Sequence, residues 1–243
     1  FKKFGVSLIL LTQFVWMTSC GDNDNSQVTN RNFEAREPFS FEVAVENRSR
    51  LRLQAINGEI TITGLPGANS VIITGEKRVE SESTEDAEAY LPELEVNVQS
   101  LTYEVFVETT QPQNTGDRNY IVDYTITLPK NLEVRVTNVN GIVTLDSIEN
   151  DVTVNNVNGE ATLIGIVGSA RVVLVNGTIE SDVTLPLDGT IDMRTTNGAI
   201  DLDIPQSTSA EFSANVGNGN ISVANLVLQN EVKRLNRIIN QFF

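Results

Sequence analysis

The chain has 243 residues, 17 Lys and Arg against 32 Asp and Glu, no His and one Cys, for a formal charge of −15. That balance argues against nucleic acid and anionic lipid head groups as partners, both of which demand a basic face, and one Cys excludes an internal disulfide. The absence of His removes the commonest general base and metal ligand.

The first element is a targeting segment. Lys2 and Lys3 precede an apolar run from Val6 to Trp16 that ends in Met17-Thr18-Ser19-Cys20. The run is too short to span a bilayer and suits a signal-peptide core over residues 1–19. Small residues before Cys20 resemble a bacterial lipobox, in which that Cys is lipidated and holds the protein to a membrane. The predicted location is the bacterial cell envelope, with the outer membrane or cell surface favoured over the inner membrane. Removing Lys2 and Lys3 leaves 15 basic against 32 acidic residues, a charge of −17.

Residues 20–40 mix Asn, Asp, Ser and Glu without periodicity and read as a flexible tether. The folded domain is expected over 41–225. Phe41 to Val45 alternates as a strand, Leu51 to Leu53 leads into Asn57-Gly58, and Ile60 to Ile62 and Val71 to Gly75 read as strands. A strand-rich insertion is expected at about 76–130. It contains one helix candidate from Thr84 to Leu94, with Thr84 as N-cap and Glu85 and Asp86 in its first turn, then strands at 94–98, 102–107 and 120–128. Residues 226–243 form a tail without an evident polar cap, as though the chain were truncated.

From Leu132 onward the chain repeats. Six Asn-Gly pairs occur, Asn57-Gly58, Asn140-Gly141, Asn158-Gly159, Asn176-Gly177, Asn197-Gly198 and Asn218-Gly219, the last five at intervals of 18 to 21 residues. Six residues before each Asn stand Leu51, Val134, Val152, Ala170, Ile191 and Phe212; four before stand Leu53, Val136, Val154, Val172, Met193 and Ala214. Two residues past each Gly come Ile60, Val143, Ala161, Ile179, Ile200 and Ile221, and two further on Ile62, Leu145, Leu163, Ser181, Leu202 and Val223. Ser181 alone breaks the apolar pattern. Period-two alternation on both sides of each turn predicts two short strands per repeat, each with one buried face.

Asn-Gly between alternating apolar residues is also a hairpin signal, since both central residues of the favoured turn take positive φ. The spacing here is nearly double that of a simple meander, and a second break falls within each repeat. Two all-β architectures remain: an antiparallel meander with alternating turns, or a β-solenoid (parallel β-helix-like) with coils of 18–21 residues. The near-identical turns favour the solenoid, with the Asn side chains stacked as an amide ladder.

No motif points to catalysis: no Gly-x-Ser-x-Gly elbow, phosphate loop, zinc spacing or EF-hand loop occurs. No cofactor, catalytic residue or metal site is expected. Asp146, Asp151, Asp182 and Asp188 lie near turns and offer at most weak divalent-cation binding; solvation of the turns is the plainer reading.

The Val-Asn-Gly coils, preceded by Val122-Asp123-Tyr124-Thr125-Ile126-Thr127-Leu128-Pro129 and an acidic short helix, resemble the "putative adhesin" domain family of bacterial envelope proteins from about Phe41 to Val223. The resemblance implies a β-solenoid-like fold and, commonly, a lipoprotein signal; it transfers no functional residue. The expected function is a non-catalytic, adhesin-like or structural module of the envelope, meeting an envelope protein or glycan. The alternatives are a carbohydrate-active β-helix enzyme and an envelope-stress sensor that binds a regulatory partner.

Overall fold

The computed structural model describes residues 33–205, 211–224, 232–234 and 237–241. The expected signal segment, Cys20 and most of the tether lie outside the described residues. The chain is all-β: the described strands join into one mixed sheet of 17 strands that curls toward barrel-like closure, accompanied by one short helix.

Each repeat gives one strand to each of two walls that meet at the Asn-Gly corner. In the first wall β8 (Glu133–Asn140), β10 (Val152–Asn158), β12 (Ala170–Asn176), β14 (Thr190–Asp203) and β15 (Glu211–Ala224) pair parallel and in register, so that Asn140, Asn158, Asn176, Asn197 and Asn218 are successive partners. In the second wall β9 (Val143–Asp146), β11 (Ala161–Val167), β13 (Ile179–Thr184) and the ends of β14 and β15 also pair parallel, with one shift of register between Leu163 and Ile166 where β11 meets β13. The repeats therefore do not form an antiparallel meander. Strand alternation turns one set of side chains inward from each wall, and the inward set is the apolar columns: Leu51, Val134, Val152, Ala170 and Ile191 on one side and Ile60, Val143, Ala161, Ile179 and Ile200 on the other are all buried. Ser181 is buried among them, with its hydroxyl donating to Asp201 O at 3.3 Å.

The sheet as a whole is mixed and barrel-like, which departs from the expected parallel β-solenoid with coils of 18–21 residues and a separate insertion. β1 (Phe33–Ala44) pairs antiparallel with β4 (Ser70–Ser81), and β4 pairs antiparallel with β7 (Asn119–Pro129). β5 (Glu95–Ser100) and β6 (Glu104–Thr110) form a hairpin, while β16 (Val232–Arg234) and β17 (Arg237–Gln241) run antiparallel beyond β15.

The expected insertion is built into the walls. β6 pairs parallel with β2 (Arg50–Gln54), and β7 pairs parallel with β3 (Ile60–Leu65). β2 and β3 in turn pair parallel with β8 and β9. Residues 104–129 thus supply a layer without an Asn-Gly corner, and the first repeat in sequence lies second in space. The hydrophobic period fixes which side faces inward, but carries no information on the order in which layers stack.

Two boundaries shift. β1 begins at Phe33, so residues 33–40 expected in the tether are strand, paired with 74–81. Ala35 and Val43 are buried there and Phe39 and Phe41 pack on the core, while Pro38 is tolerated because, among the described residues, β1 pairs with β4 alone. The helix α1 (Thr84–Tyr90) is capped by Ser83 rather than Thr84: Ser83 is extended (φ −147°, ψ 159°) and its Oγ accepts from Asp86 N at 3.1 Å. A short 3-10 turn, Leu91–Glu93, follows. Ala87 and Leu94 are fully buried, so this segment covers the inner face between β1 and β4.

Candidate binding surface

The Asn-Gly pairs come together as a single edge along the molecule. Asn140 Nδ2 donates to Asn57 Oδ1 (2.6 Å), and Asn158, Asn176, Asn197 and Asn218 each donate to the Asn before them at 2.8–2.9 Å. The ladder ends where Asn57 Nδ2 donates to Tyr120 O at 2.9 Å, on the layer that has no corner Asn. Asn57 and Asn140 are neighbours although they stand 83 positions apart in the sequence.

Only the Gly of each pair has positive φ: +129° at Gly58, +132° at Gly141, +130° at Gly159, +141° at Gly177 and +149° at Gly198 and Gly219. The corner is therefore not a hairpin turn of the kind that needs positive φ at both positions. From Gly141 onward each Gly also lies against the carbonyl of the corner Gly in the layer before it, and Gly58 lies against Val122 O; a Cβ on Gly159 would stand 2.0 Å from Gly141 O, and one on Gly177 1.6 Å from Gly159 O. Beside the ladder Val139, Val157 and Val175 form a half-exposed apolar row.

The second wall carries outward a feature that the repeats alone do not reveal. Ser40, Thr74, Thr125, Thr61, Thr144 and Thr162 are consecutive register partners on six neighbouring strands, and none is buried. Thr127 and Thr63 lie in the next rank. The hydroxyl row then gives way to Glu180 and Asp201. Half of this row comes from β1, β4 and β7, so no period in the sequence marks it.

The first wall is charged outward in compensating pairs. Arg50 binds Glu133 (2.8 Å), Arg52 binds Glu104 (2.6 Å) and lies 3.9 Å over the Phe106 ring, and Arg194 binds Asp192 (2.7 Å), which also accepts from Arg171. Arg52 beside Glu104 holds that carboxyl below its ordinary range.

The four turn aspartates do not converge. Asp146 Oδ1 accepts from Ser147 Oγ (2.8 Å), Asp151 Oδ1 accepts from Ser169 N (2.9 Å), Asp188 has a positive φ of 68°, and Asp182 pairs in register with Asp203. Among the described residues no three His, Cys, Asp or Glu side chains come together. A recess of about 290 Å³ lies between Gly64, Lys130, Ser147, Glu149 and Gly165, crossed by the Lys130–Glu149 ion pair. No helix among the described residues is long and apolar enough to cross a membrane.

One polar cluster fixes the helix to the sheet. Arg118 binds both oxygens of Asp86 at 2.6 Å and stacks 3.4 Å over Tyr90, and Asp86 also accepts from Ser81 Oγ. The hydrogen bond from Arg118, with that from Ser81 second, holds the Asp86 carboxyl below its ordinary range. A depressed carboxylate contributes stability that is complete above its unfolded pKa and is lost as pH falls through the folded value. Asp86→Asn should therefore lower the melting temperature at pH 7 and flatten its decline below about pH 4. Identical acid limbs in the two proteins would show that the cluster is not coupled to folding.

No protein-family profile matches the chain, and no curated protein matches it in sequence. Among solved structures it is similar to a "putative cell adhesion protein" from Clostridium sporogenes ATCC 15579, at 11% identity over 78% of this chain and 99% of that one, with a TM-score of 0.40. It is also similar to a "putative adhesin" from Bacteroides fragilis NCTC 9343 (11% identity, 77% and 97% covered, TM-score 0.32). A third is a "putative lipid binding protein" from Parabacteroides distasonis ATCC 8503 (7% identity, 76% and 96% covered, TM-score 0.24).

Proposed function

We propose that the chain is a non-catalytic, adhesin-like binding module of the bacterial envelope, lipidated at Cys20 and presenting stacked β-solenoid coils to a partner. The observation that supports this best is the uncharged hydroxyl row from Ser40 to Thr162, six strands wide on a protein with a net charge of −15. Hydroxyls both donate and accept, and the fixed spacing of neighbouring strands, about 4.8 Å, holds them in a rigid line. Such a surface suits a neutral hydroxyl-bearing glycan or a polar protein face; the surrounding acidic charge disfavours polyanions. Attraction to polyanions would have to run through bridging divalent cations, so a chelator should abolish it.

The test is a glycan and envelope-protein binding screen with the full chain and with the triple variant Thr61→Lys, Thr125→Lys, Thr144→Lys. Binding to a neutral glycan or envelope protein that the variant loses while keeping its melting temperature supports the reading; reproducible cleavage of the ligand would favour the enzyme. Cys20→Ala should release the protein from the membrane fraction or leave an unprocessed precursor. Unchanged retention and mobility would sink the lipid anchor.

A further inference from the structure

Inside the stack one inward column is not apolar. Two residues before each corner Asn stand Ala55, Asn138, Asn156, Leu174, Thr195 and Val216, all buried. Asn138 and Asn156 are register partners on β8 and β10 and are 2% and 3% exposed. Thr195 meets its needs by donating toward Gly177 O (3.2 Å), and Asn156 Nδ2 donates to Gly141 O (2.8 Å). Asn156 Oδ1 and both amide atoms of Asn138 have no protein partner.

Leaving such groups bare in an interior is costly, because each has given up its hydrogen bonds to solvent. The three atoms are two acceptors and one donor, on side chains that project inward from adjacent strands about 4.8 Å apart. The pair is flanked in the column by the small Ala55 on the Asn138 side and by Leu174 on the Asn156 side. We propose that Asn138 and Asn156 form a built site for one buried water molecule. The water donates to Asn138 Oδ1 and Asn156 Oδ1 and accepts from Asn138 Nδ2, the three bonds typical of an interior water. A cation fits worse, since one of the three unpaired atoms, Asn138 Nδ2, is a hydrogen-bond donor. The water would also help to set the register of β8 on β10: a slip of two residues would bring Asn138 against Val154 and strip both amides of their bridge.

The test is a crystal structure of the full chain at a resolution that shows ordered water, together with the variant Asn138→Leu. A density peak within hydrogen-bond distance of all three atoms is expected; a dry site, a cation, or an Asn138 rotated onto a backbone carbonyl overturns the proposal. Leu174 shows that the column accepts leucine. With the water in place, Asn138→Leu loses three hydrogen bonds and strands Asn156 Oδ1, so the melting temperature falls by about 2–8 °C. A dry interior would give the opposite sign, because the substitution then removes an unsatisfied amide, and a rise in melting temperature overturns the proposal by itself.

Discussion

Replacing Gly159 by alanine is expected to destabilise the protein by about 2–6 kcal/mol, against about 1–2 kcal/mol for Gly165→Ala. Two effects add at Gly159. Its φ of +130° lies where only glycine is comfortable, a strain of roughly 1–3 kcal/mol for another residue. Its new Cβ would also stand 2.0 Å from Gly141 O. That atom belongs to the backbone of the next layer, so relief requires the layers to move apart, and overpacking of this kind costs about 1–3 kcal/mol. Gly165 has a left-handed φ of +59° with nothing within 4 Å of the added carbon, which leaves only the smaller penalty of roughly 1–2 kcal/mol for a non-glycine residue in that region. Urea denaturation of both variants measures the difference. Equal midpoints would mean that the corner glycines are not a stacked column, and the amide ladder beside them would lose its support.

Ile126→Ala should cost about 2–5 kcal/mol, the range for a large-to-small change at a buried site, and should act on both parts of the sheet at once. Ile126 is fully buried. Its register partners are Ile73 on the antiparallel side and Ile62 on the parallel side, and the column continues through Leu145 to Leu163. One side chain therefore belongs to the packing of the antiparallel strands and to that of the repeats. Native-state hydrogen exchange should accelerate together in β4 and in β3. Acceleration confined to β1, β4 and β7 would show instead that these strands open as a unit of their own. Val157→Ala, a half-exposed position in the corner row, is the matched control and should change stability by less than about 0.5 kcal/mol.

The sequence alone determines the inward faces of the repeats and the position of each corner. The apolar columns beside Asn140, Asn158, Asn176 and Asn197 are buried as period-two alternation requires, and glycine at each corner marks a backbone that no other residue adopts easily. These features are legible because they are local: side-chain alternation and the sign of φ depend on a few neighbouring residues. The start of β1 was hidden by its composition, since Glu34, Arg36, Glu37 and Pro38 read as polar chain until β4 supplies a partner for their backbone. The cap falls at Ser83, one residue before the expected Thr84, because both residue types cap helices and the extended backbone of Ser83 decides between them.

Tertiary structure alone decided the order of the layers. That Asn57 stacks on Asn140, that β6 and β7 supply a layer beyond β2 and β3, and that Ser40, Thr74 and Thr125 continue the row begun by Thr61, Thr144 and Thr162 are facts of pairing between segments far apart in the chain. A buried apolar face is satisfied by any apolar neighbour of the right length, so hydrophobic pattern does not choose among them. The choice falls to groups that need one particular partner: the ladder amides, the Asp86–Arg118 pair, and the glycine carbonyls that leave no room for a side chain in the next layer.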